Sequence, residues 1–148
     1  MGDRTHVTVR VLEGHEDRFG EIIGDEPSND LTGEPIRENG WVRFEMSEAE
    51  GGLYDEALEA AEEELVFIGE NGAGGEYGPA VWCAYDGVFY HAESDWNRLY
   101  PVIRMRIDEK GTVDFDMAES KEATFYLFAS MTIERIFEEK SKLPKEPS

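Results

Sequence analysis

The chain has 148 residues, 40% of them hydrophobic and 11% aromatic, and carries 34 acidic against 14 basic side chains for a formal net charge of -20. This length and apolar content suit one domain that buries about two thirds of the surface of its unfolded chain, which excludes disorder throughout. The single cysteine, Cys83, excludes an internal disulfide and a thiolate metal cage. No basic segment leads into an apolar run at the N-terminus, and no stretch approaches the ~18 apolar residues of a membrane span. The expectation is therefore a cytoplasmic protein without signal peptide or membrane contact.

Thr5 to Leu12 alternates, with Val7, Val9 and Val11 on one face and His6, Thr8 and Arg10 on the other, the pattern of a half-buried strand. Glu13 to Ile23 changes to helical spacing around Phe19, Ile22 and Ile23, and Gly24 ends it. Residues 24–40 are dense in Gly, Pro, Asn and Asp and read as an exposed loop. Trp41 to Met46 is a second alternating strand, Val42, Phe44 and Met46 inward and Trp41, Arg43 and Glu45 outward. After Gly51-Gly52, Leu53 to Leu65 is a helix with a core face of small residues (Ala57, Ala60, Ala61) and carboxylates over the rest. Val66 to Ile68 starts a short strand that leads into a glycine-rich loop.

Ala80 to Tyr85 and Val88 to Ala92 form the clearest hairpin, joined by Asp86-Gly87, which tolerates the positive φ angles of a type I′ turn. The turn sets Trp82 opposite His91, Cys83 opposite Tyr90 and Tyr85 opposite Val88. Large apolar groups on both faces suggest a central place in the sheet. A second hairpin, Val102 to Asp108 with Thr112 to Met117, sets Arg106 opposite Asp114 and Arg104 opposite Asp116, with Ile103, Met105, Ile107, Val113, Phe115 and Met117 on the other face. Ser120 is a candidate N-cap for a helix from Lys121 to about Lys140. Its first half is apolar around most of its circumference, which also offers a surface to a second copy in a homo-dimer. The whole reads as an α+β single domain over residues 1–142, a mostly antiparallel sheet of five to six strands with three helices packed mainly on one face, and a polar tail at 143–148.

Most chemical constellations fail on their own residues. The loop at Gly72 and Gly74 has Tyr77 where a dinucleotide fingerprint wants its third glycine, and Glu70 and Glu76 would repel a phosphate. Cys83 and His91 fall on opposite faces of their hairpin, so Cys83 reads as a buried structural thiol. Asp114, Asp116 and Glu119 lack the EF-hand pattern, and Asp114 and Asp116 have arginine neighbours. No catalytic residue, metal or cofactor is assigned.

What remains is charge. Residues 1–65 carry 19 acids and 5 bases, whereas residues 121–148 carry 5 of each. On the second helix Asp55, Glu56, Glu59, Glu62 and Glu63 recur at i, i+3 and i+4 spacing, about 5–6 Å apart, without a base to relieve them. Extended by Glu45, Glu48 and Glu50, this stripe imitates the anionic ladder of a nucleic-acid backbone. The expected function is an interaction protein that occupies a basic nucleic-acid-binding surface of a partner without binding nucleic acid itself, with Trp41 and Trp96 as apolar anchors. It is similar in type, though in no motif, to the small acidic inhibitors that phages and mobile elements direct at host nucleic-acid enzymes, anti-CRISPR and anti-restriction proteins among them. Two alternatives compete with it: a small-molecule or enzymatic domain with a pocket under Gly69 to Pro79 lined by Tyr77, Trp82, Tyr85, Tyr90 and His91, and an acidic solvated or high-salt-adapted protein or structural homo-oligomer.

Overall fold

A computed structural model describes residues 4–24, 30, 31, 34–50, 53–73, 78–95, 97, 98 and 100–143. Its element order is β1 (Arg4–Leu12), α1 (Glu16–Gly24), β2 (Asp30–Leu31), β3 (Ile36–Arg37), β4 (Trp41–Glu50), α2 (Tyr54–Glu62), β5 (Phe67–Asn71), β6 (Ala80–Tyr85), β7 (Val88–Glu93), β8 (Met105–Ile107), β9 (Val113–Phe115) and α3 (Met117–Lys142). The main sheet is antiparallel in the order β2-β4-β1-β5-β6-β7, with β3 also on β4, and β8-β9 is a separate two-stranded sheet. The chain is thus an α+β domain, as its alternation of strand and helix periods implies.

Alternation in β1 puts Val7, Val9 and Val11 against Met46, Phe44 and Val42 of β4. On the same face Phe67, Trp82 and Ala84 of β5 and β6 meet Phe19, Ile22 and Ile23 of α1 and Ala57, Ala60 and Ala61 of α2. The small α2 residues let that helix sit close to the sheet beside α1. Among the described residues Trp82 is the largest fully buried side chain; its Nε1–H donates to Asn71 Oδ1 at 2.9 Å, so the buried indole keeps a partner.

The opposite face carries a second core of Val66, Val81, Cys83 and Ala92 with Tyr126, Ala129, Ile133 and Phe137 of α3. Here the expected packing of three helices mainly on one face holds for α1 and α2 alone. α3 covers the other side because β5 and β6 are apolar on both faces (Phe67 and Ile68, Trp82 and Cys83), and two apolar faces need two covers. Several boundaries also move. Asp116, not Ser120, caps α3: its Oδ1 accepts the Glu119 N–H at 2.9 Å, which starts the helix one turn early. The expected loop 24–40 contains β2 and β3, both pairing with β4. β6 is central, but β7 ends the sheet. The β6-β7 register follows the turn chemistry, with Trp82 opposite His91 and Asp86 and Gly87 at φ 56° and 80°.

Candidate functional site

α1 and α2 lie side by side on one face of the sheet, and their outer surface is acidic. Asp17 and Glu21 of α1, Asp55, Glu59 and Glu62 of α2 and the adjoining Glu63 are all exposed. Arg18 is the one basic side chain in either helix, and it clamps Glu63 with two bonds of 2.6 and 2.7 Å while reaching Glu21 at 3.0 Å. The Glu63 carboxyl consequently sits below its ordinary range, held by hydrogen bonds from Arg18. Neither helix has a base in its last turn. Glu21 and Glu62 therefore stand at the negative ends of their helix dipoles, where a carboxylate costs about 0.3–1 kcal/mol.

The expected stripe is only partly one surface. Asp55, Glu59 and Glu62 are aligned as the spacing implies, and Glu63 is among them but paired. Glu56 is half-buried. Glu45 does not join them: the pleat of β4 sends it to the α3 face, where its Oε1 lies 3.3 Å from His6 Nε2. The side chains of Glu48 and Glu50 lie outside the described residues, as does Trp96. Trp41 is no exposed anchor. It packs partly buried on the α3 face, with the Arg10 guanidinium 5.4 Å from its ring centroid and also 5.4 Å from that of Phe137. A Trp at an outward strand position reads as exposed only while no helix covers that side.

Among the described residues, the side chains expected to line one pocket under residues 69–79 do not come together on one face. Trp82 and His91 point to the α1-α2 face, Tyr85 and Tyr90 to the α3 face, and Tyr77 lies outside the described residues. His91 packs edge-on against Tyr54 at 5.3 Å, and burial lowers its pKa. Cys83 is fully buried, and burial pushes its thiol up to about 12, so it is an inert core residue.

A different cleft is present, on the α3 face. It has a volume of about 320 Å³ and is bordered by Thr8 and Arg10 of β1, Arg43 of β4, Ile68 and Glu70 of β5, Val81 of β6, Tyr126 of α3 and Arg98. Arg10 bonds Glu134 of α3, and Arg98 Nε lies 3.7 Å from Glu70 Oε1. Burial raises the Glu70 carboxyl, against the pull of Arg98 and His6, and likewise raises the Tyr126 phenol. Sequence reasoning missed this cluster because its members come from four strands, a helix and a connection. The available signal was Arg10 and Arg43 at outward positions of two strands in a chain with so few bases.

Comparison with protein-family models, with curated proteins and with solved structures gives no match. Function therefore rests on the surfaces themselves.

Proposed function

We propose that this protein is an acidic interaction module whose α1-α2 face occupies a basic nucleic-acid-binding surface of a partner, in the manner of the nucleic-acid mimics by which phages and mobile elements inhibit host defence or DNA- and RNA-processing systems. One observation carries the reading: two adjacent helices expose Asp17, Glu21, Asp55, Glu59, Glu62 and Glu63 with a single arginine between them. Like charges at helical spacing and carboxylates at helix C-termini oppose folding. A merely solvated surface would intersperse its signs. A basic groove built for phosphates would meet carboxylates at comparable spacing and release its own counterions, giving an affinity that falls steeply with salt.

The decisive variant changes Asp55, Glu59 and Glu62 together to Lys, leaving the paired Glu63 alone. The tagged wild-type chain should retain a nucleic-acid-binding protein from bacterial lysate at about 0.1 M salt, release it at about 0.5 M, and lose it to added DNA or RNA. The triple variant should keep its fold and capture nothing. Capture by the variant, or capture indifferent to nucleic acid, refutes the reading.

A second reading concerns assembly and is favoured by the other end of the chain. On α3, Phe125, Leu127, Phe128 and Met131 are exposed opposite its buried side, and every residue of β8 and β9 is exposed, including Met105, Ile107, Val113 and Phe115. A helix apolar all round is normally buried, and an isolated two-stranded hairpin is marginal in water. Residues 121–148 carry as many bases as acids, so two copies meeting there bring together the least charged part of a chain of charge -20. The partner for this surface is a second copy, which would leave two acidic faces free.

A further inference from the structure

Three of the nine arginines converge on the cleft beneath α3, on the opposite side of the sheet from the acidic helices. Three arginines and Glu70 line it, with Glu134 paired to Arg10 beside it, within a protein whose charge is -20. Arg10 is bonded to Glu134 and stacked near the rings of Trp41 and Phe137. Nε of Arg43 and Nε of Arg98 are shut off from solvent with no hydrogen-bond partner among the described residues. The nearest carboxylate oxygen to Arg98 Nε, on Glu70 at 3.7 Å, forms an ion pair beyond hydrogen-bond reach. An arginine in a protein does not shed its proton, so a buried guanidinium N–H without an acceptor retains its desolvation penalty.

Two further costs fall at the same place. Arg10 and Arg43 are direct cross-strand partners of β1 and β4, an arrangement in which like charges repel. Arg98 has φ 58°, a left-handed backbone that a non-glycine residue adopts at a cost, fixed by its N–H donating to Asp95 O at 3.0 Å. Unpaired donors, opposed charges and backbone strain gather around one open cleft, and a single anion seated there would answer the first two and give the third a purpose.

The geometry points to a binding site for a small organic anion, its carboxylate or phosphate group held between the guanidiniums of Arg43 and Arg98. Thr8 and Tyr126 border the same space, and Ile68 and Val81 offer an apolar wall to the rest of the ligand. A volume of about 320 Å³ admits a ligand of metabolite size. The negative field of the remaining protein disfavours a polyanion. Glu70 competes with the ligand for Arg98 and thereby sets affinity. The site is independent of the acidic face, and either can fail without the other.

The test is calorimetric titration of the full chain at constant ionic strength with inorganic phosphate and, separately, with succinate, sodium chloride serving as the blank. At least one of the two anions should bind saturably, and which one does identifies the preferred oxyanion. Arg43→Gln and Arg98→Gln should each weaken binding by about tenfold or more, as loss of a charge-assisted pair does, while Arg106→Gln on the outlying hairpin should leave it unchanged. Glu70→Gln should tighten binding severalfold, a gain that a misfolded variant would not give. Absence of saturable binding by both anions overturns the proposal. So does binding that survives in both the Arg43 and Arg98 variants, or binding that is not tightened in a folded Glu70→Gln protein.

Discussion

Gly69→Ala measures how tightly the first core is packed. Gly69 is paired with Val9 on one side and Trp82 on the other, in the middle of the sheet. A methyl group there would stand 2.5, 2.7 and 2.9 Å from Cη2, Cζ3 and Cζ2 of Trp82, closer than real Cβ contacts allow. The indole has no room to retreat: it is 1% exposed, lies 5.9 and 6.4 Å from the rings of Phe67 and Phe89, and is tied to Asn71 by its Nε1–H. Overpacking a core costs about 1–3 kcal/mol, and tilting the indole would weaken a hydrogen bond with a net contribution near 1 kcal/mol. The stiffer unfolded chain returns only about 0.4–1 kcal/mol. The net expectation is a loss of about 2–3 kcal/mol, read as a lower urea midpoint by far-ultraviolet circular dichroism with an unchanged slope. Trp82→Phe removes the three clashing atoms. In that background Gly69→Ala should cost less than about 0.5 kcal/mol, a coupling that a double-mutant cycle reports directly. A Gly69→Ala protein as stable as wild type, or an equal cost in both backgrounds, would refute this account of the core.

The remaining expectations concern pH and assembly. His15 Nδ1 accepts the Val66 N–H at 3.0 Å, and burial lowers its pKa below the ordinary 6.5, so the unfolded state takes up a proton more readily than the folded one. Its contribution is complete above pH 6.5 and is lost as pH falls from there through the lower folded value. His15→Asn, which keeps an acceptor but does not titrate, should narrow the stability gap to wild type as pH falls from about 7 to about 5; a pH-independent gap rules this out. If α3 meets a second copy, Phe125→Glu with Phe128→Glu should convert a sedimenting dimer into a monomer with an unaltered dichroism spectrum. A wild-type chain that sediments as a monomer at tens of micromolar rejects that interface.

Local patterns in the sequence determined most of the strands and the register of the best hairpin. The alternation of β1 and β4 fixed which side chains are internal, because a pleat leaves no choice once one face is apolar. Asp86-Gly87 fixed the β6-β7 pairing, because few dipeptides accept two positive φ angles. The charges that would form an acidic surface were also legible, since on α2 Asp55, Glu59 and Glu62 share a face by helical geometry alone. Three things were decided only by tertiary structure. α3 crossed to the far side because β5 and β6 are apolar on both faces, a condition that periodicity registers as loss of pattern rather than as a direction. Glu45 and Trp41 went with that second face, away from the α2 carboxylates, since one pleat separates residues that lie near each other in the chain. The arginine cleft arose from the sheet order, which brings Arg10, Arg43 and Glu70 onto neighbouring strands and folds Arg98 over them. Contacts between residues far apart in sequence carry no spacing signal, so the chain could announce its charge but not where its few cations would meet.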